Sequence, residues 1–183
     1  MAFGYFGKMA GDADVIGAGL DAGFVGHWDA MLSAGLSRLR VHGGPAWPQR
    51  YFTAPMWRFA IAPGVCAPCW TSGVMMPSED AAGEPYPLTL AWSGTAAPAP
   101  SGRWLDELEY LALLCLNQRM RARRLGRELG GLDAPGMAGG WQEARRGRVR
   151  FWTTDPVGEG CSLVEIDGLP SAGALAAMLQ GPD

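Results

Sequence analysis

Glycine and proline cut this chain into short apolar runs, and that punctuation limits the fold more than any other feature. The 183 residues include 27 Gly and 14 Pro, which favour many turns over long regular helices, and 8 Trp, which supply large aromatic anchors. Residues 2–6 form an aromatic-rich run closed by Gly7 and read as a first strand. Residues 8–19 are rich in turn formers. From Phe24, the apolar residues Phe24, Val25, Trp28, Met31, Leu32, Leu36 and Leu39 recur mostly at steps of three and four, which predicts an amphipathic helix. Asp21 is placed to cap it, and Gly43, Gly44 and Pro45 stop it.

Residues 58–62, 73–76 and 87–92 read as strands, ended in the first two cases by Pro63-Gly64 and by Pro77. Between the last two strands, residues 78–85 hold three acids, a Gly and a Pro and read as an exposed turn. Residues 93–102 and 130–140 read as loops. Residues 103–129 carry Trp104, Leu108, Leu111, Ala112, Cys115, Leu116 and Met120 at helical spacing, with acids early and arginines late, so one long helix aligned with its dipole is expected. Residues 149–153 and 163–166 read as two more strands, and Ser171 caps a final helix. Roughly six strands and three helices, in neither strict alternation nor a single block, predict one layered α/β domain over residues 1–183.

A hydrophobic content of 48% and a charged content of 18% describe an ordinary globular chain. A net charge of −3 gives no broad positive field, so nucleic acid is not an expected partner. No leader-like segment opens the sequence and no apolar run is long enough to span a bilayer, so a cytoplasmic protein without direct membrane insertion is expected. Four cysteines, Cys66, Cys69, Cys115 and Cys161, then read mostly as reduced core thiols.

Several local strings invite chemistry. Residues 14–20, with Gly17, Gly19 and Ala22, resemble a dinucleotide-binding turn, but the preceding strand would be very short and no second βα unit with a ribose-binding acid follows. Gly7-Lys8 lacks the earlier Gly of a phosphate loop, and Met9 stands where a Ser or Thr belongs. Ser78, Asp80, His27 and His42 include the residue types of a hydrolase, without a nucleophile elbow. The sharpest string is Cys66-Ala67-Pro68-Cys69, the spacing of a dithiol oxidoreductase. A strand is expected after it where a thiolate-stabilising helix would be needed, and no second ligand pair completes a zinc site. No cofactor is expected. The arginines between 119 and 127 could pair with phosphate or with acids on a partner, or simply form a solvated helix face.

The order of separated motifs is more specific than any one of them: Phe6-Gly7-Lys8, Asp14, Trp28-Asp29 with Leu32, Pro55-Met56-Trp57-Arg58-Phe59, Pro63-Gly64, Gly73-Val74, Pro77-Ser78, Asp80, Gly83, and Tyr86-Pro87-Leu88-Thr89. Phe151-Trp152-Thr153 and Gly168-Leu169-Pro170 follow. This order resembles the TagF (ImpM) family of type VI secretion accessory proteins over essentially the whole chain. The chain departs from the family pattern at Ala10, Ala13 and Val15, and at Ala81 and Glu84, where basic residues are common.

The resemblance implies a non-enzymatic, post-translational repressor of a type VI secretion system that binds the system's forkhead-associated scaffold protein, with other secretion components as further partners. It implies a single compact three-layer α/β/α domain, which we expect to hold a central mixed sheet covered by helices. Partner-binding candidates are Lys8, Asp14, Trp28, Asp29, Trp57, Arg58, Ser78, Asp80 and Tyr86, centred on the turn at 78–86 with Lys8, Asp14 and Arg58 beside it. The same polar residues could instead fix turns and internal ion pairs, and tryptophans at helical or strand spacing are often core. The competing function is a thiol–disulfide protein built on Cys66 and Cys69.

Overall fold

The computed structural model of the protein describes residues 2–99, 102–136, 147–153 and 162–181. Seven strands are described: β1 (Ala2–Gly7), β2 (Ile16–Ala18), β3 (Trp57–Ile61), β4 (Trp70–Met76), β5 (Leu88–Gly94), β6 (Arg148–Trp152) and β7 (Leu163–Asp167). They form one sheet in the order β2-β1-β5-β4-β3-β6-β7. Every pairing is antiparallel, which corrects the expectation of a mixed sheet. For β3, β4 and β5 the cause lies in the connections. A parallel neighbour needs a crossover of a dozen or more residues, whereas β3, β4 and β5 follow one another through turns too short for one.

Five helices are described: α1 (Ala22–His42), α2 (Trp47–Phe52), α3 (Arg103–Asn117), α4 (Ala122–Gly130) and α5 (Ala172–Met178). The Asp21 side chain accepts the Phe24 amide and caps α1, and the Ser171 side chain accepts the Ala174 amide and caps α5, as the sequence predicts. The single helix expected over 103–129 is two. The chain breaks between them at Arg119, whose φ of +47° is the only positive value at a non-glycine among the described residues. The arginines therefore do not close a long helix; Arg123 and Arg124 lie in the first turn of α4, where the dipole disfavours them. Residues 16–18, read as turn, form an edge strand.

Alternation along the strands sorts side chains into two cores. Phe6, Trp57, Phe59, Ile61, Met75, Ala91, Val149 and Phe151 join the buried residues of α1 and α5. Tyr5, Trp70, Val74, Met76, Leu88, Leu90 and Trp92 join those of α3 and α4. In the first core, fully buried Trp28 packs 4.7 Å from Phe59 and 5.2 Å from Phe24, centroid to centroid. Its indole N–H donates to Thr89 Oγ1 at 2.9 Å, so the polar edge of a buried ring is satisfied across the sheet. The loops after β5 and α4 are tied together where the Ala99 amide donates to the Gly136 carbonyl at 2.7 Å.

Candidate functional site

The turn joining β4 to β5 is built from its carboxylate outward. Asp80 Oδ1 accepts the amides of Ala82 at 2.9 Å and Glu84 at 3.0 Å, while Oδ2 pairs with Lys8 Nζ at 2.8 Å. The Lys8 ammonium, with the amides adding to it, holds the Asp80 carboxyl below its ordinary value. Gly83, with φ of +85°, closes the reversal, and Glu79 and Pro85 bridge its base. Below the turn, the Tyr51 hydroxyl donates to the Ser78 carbonyl and accepts the Ser78 amide, both at 3.0 Å. Burial raises the Tyr51 pKa, so that hydroxyl stays neutral and can do both.

The turn expected at 78–85 is therefore only partly exposed. Ser78 and Asp80 are buried, and Ala81, Ala82, Gly83 and Glu84 form the exposed tip. Three further residues reach it, one through its backbone carbonyl and two through their side chains. The Asp12 carbonyl accepts the Ala81 amide at 2.8 Å, and the Asp12 carboxylate accepts the Ala122 amide at 2.9 Å, joining the tip to the start of α4. Arg119 donates to the Ala81 carbonyl and Arg40 to the Pro85 carbonyl, each at 3.4 Å, with Arg40 also 3.9 Å from Glu84.

The other predicted residues separate into distinct places. Asp29 on α1 is exposed and accepts the Tyr86 hydroxyl, linking the helix to the end of the turn. Trp28 and Trp57 are buried; the Trp57 indole donates to the Met178 carbonyl at 2.9 Å. Arg58 does not flank the turn at the surface. Its buried guanidinium meets α3, 2.6 Å from Asp106 and 2.7 Å from Glu109, and these carboxylates raise its pKa further. Asp14 is exposed, ahead of β2. Sequence reasoning missed Asp12, Arg40 and Tyr51, and named Arg119 only within the arginine run at 119–127. The Pro48 that opens α2 was a readable helix-start signal for the element carrying Tyr51; the long-range partners of the other three leave no local trace.

The thiol motif takes a different character in three dimensions. Trp70 opens β4 directly after Cys69, so the motif does not run into a helix of its own. Cys66 is a buried free thiol whose pKa burial pushes up to about 11, opposite to the shift a reactive thiolate needs. Cys115 is likewise buried and free, and Cys161 lies outside the described residues. Residues 14–20 lead into an antiparallel edge strand, Gly17 opposite Phe6, and not into a parallel βαβ unit. Among the described residues, no three His, Cys, Asp or Glu side chains gather into a set that could hold a metal, and no helix is long and apolar enough to cross a membrane.

Fold and site together define a class: a protein of one open antiparallel sheet packed by helices, with a rigid, polar turn framed at one end of its central strands. Residues 4–132 match the model of the TagF N-terminal domain, type VI secretion system-associated, and the chain belongs to that family. The crystal structure of PA0076 from Pseudomonas aeruginosa PAO1 is similar over 100% of this chain and 96% of that one, with a TM-score of 0.86 and 30% identity. No curated protein matches the chain.

Proposed function

We propose that this chain is a non-enzymatic, post-translational repressor of a type VI secretion system. It acts in the cytoplasm as a single domain, by binding the system's forkhead-associated scaffold protein. The observation that carries this reading is the family match, whose description ties residues 4–132 to that secretion system. The two cores, with α1 and α5 in one and α3 and α4 in the other, support a three-layer α/β/α arrangement. The turn supports a binding role because its backbone is already fixed: a tip held by Asp80, Lys8 and Tyr51 loses little conformational entropy on docking. Its charge also fits. Family relatives commonly carry basic residues where this chain has Ala81 and Glu84; here Arg119 and Arg40 approach those two positions from elsewhere.

In this reading Lys8, Asp80, Ser78 and Tyr86 hold the tip, Asp29 is an exposed charge beside it, Asp14 is an exposed charge ahead of β2, and Trp28, Trp57 and Arg58 hold the platform beneath. The buried Cys66 thiol weighs against the thiol–disulfide alternative. Secretion by the host's type VI system, followed as release of its tube protein, tests the repressor role. Deleting the gene should raise release and overproducing the chain should lower it. Unchanged release in both strains removes repression from the account.

A further inference from the structure

The arginines between 119 and 127 are unusual for where they sit. Five of the chain's 15 Lys and Arg, namely Arg119, Arg121, Arg123, Arg124 and Arg127, fall within nine residues that contain no acid, in a chain of net charge −3. Leu125 and Leu129 bury the inner face of α4. At about 100° per residue, Arg123, Arg124 and Arg127 fall within an arc of about 100° on the opposite face. All three are exposed. Arg124 meets Glu128 at 3.6 Å and Gln118 at 3.4 Å. The guanidinium groups of Arg121, Arg123 and Arg127 have no ion pair or hydrogen bond among the described residues.

At Arg123 and Arg124 this arrangement opposes folding, whereas Arg127 in the last turn suits the dipole. Cations in the first turn of a helix face the positive end of its dipole, and Arg121 at the N-cap position offers no side-chain acceptor, so Asp12 must reach in from the chain ahead of β2. A local choice that works against its own element marks positions kept for another purpose.

We propose that the outer face of α4 is a docking surface for a carboxylate-rich segment of a partner protein. Guanidinium forks pair with carboxylates in two-bond geometry, and three of them on one helix face repeat at a spacing an extended or helical acidic segment can match. A lipid surface fits less well. A membrane-lying helix needs an apolar face to insert, but Leu125 and Leu129 belong to the core and no large exposed hydrophobic lies on α4. Nucleic acid also fits less well, since nine helical residues span only about 13 Å and the rest of the chain is acidic. The inference does not depend on which secretion component is bound.

The test uses the full chain and a fluorescently labelled decapeptide of alternating Glu and Ser, followed by anisotropy at low and moderate salt. The peptide should bind with a salt-dependent affinity that the double reversal Arg123→Glu/Arg127→Glu weakens about tenfold or more. The control reversal Arg38→Glu/Arg103→Glu changes net charge by the same amount on α1 and α3 and should leave affinity within about twofold. The α4 variant should keep about the wild-type melting temperature, because an acid at 123 suits the first turn of the helix while one at 127 opposes the last. Equal weakening by the control reversal would overturn the proposal in favour of a general field effect. Unchanged affinity in the α4 variant would overturn it outright, as would tighter binding to phosphatidylserine vesicles or a single-stranded oligonucleotide than to the peptide.

Discussion

Asp80 shows how one side chain can shape a turn and make it sensitive to pH. Its ionised form is favoured in the folded chain by Lys8 and by two amides, so the folded-state pKa lies below the unfolded one. The resulting stability is complete above the unfolded value of about 3.9 and is lost as pH falls from there through the folded value. Denaturant titrations of the wild type should therefore show a falling midpoint below about pH 4, and Asp80→Asn should flatten that part of the profile. Equal acid slopes in the two proteins would contradict the pairing. Asp80 was legible as a member of a turn from its neighbours Ser78, Glu84 and Pro85. Its partner Lys8 was legible only through the family motif order, because nothing in a 72-residue separation signals a contact. Trp28 and Trp57 show the same limit: spacing predicted the helix of Trp28 and a strand beginning one residue after Trp57, while the hydrogen bonds to Thr89 and Met178 belong to tertiary packing.

Elements were readable where periodicity and caps agreed. Asp21 and Ser171 begin α1 and α5 as expected, and β1, β3, β4, β5, β6 and β7 lie within a few residues of their apolar runs. The split between α3 and α4 was hidden because residues 118–121 contain neither Gly nor Pro, and the break rests on a left-handed arginine. Sheet direction was hidden too, since it follows from how connections pack and not from any strand's own sequence. The start of α4 depends on Asp12, so Asp12→Ala should destabilise the protein by about 1 kcal/mol, the usual cost of a lost helix cap. Hydrogen exchange at Ala122 and the amides after it should accelerate in that variant. Exchange as slow as in the wild type would show that α4 begins without the Asp12 carboxylate.

For the whole molecule, the sheet order brings β1, β4 and β5 side by side, and that adjacency lets Lys8, the turn at 78–86 and the α3–α4 junction meet at one end of the sheet. The tip's backbone is fixed from inside while its four residues Ala81, Ala82, Gly83 and Glu84 face solvent, a division that separates holding the shape from presenting it. The central claim is that this chain regulates secretion by binding the forkhead-associated scaffold through that tip. Calorimetric titration of the scaffold with the wild type and with Ala82→Glu, whose new side chain would project from the exposed tip, tests it most directly. The account predicts saturable binding with a Kd of about 1 μM or tighter for the wild type. It also predicts at least about tenfold weaker binding for the variant, with its melting temperature unchanged. Absence of binding by the wild type, or equal affinity of the two proteins, would contradict it.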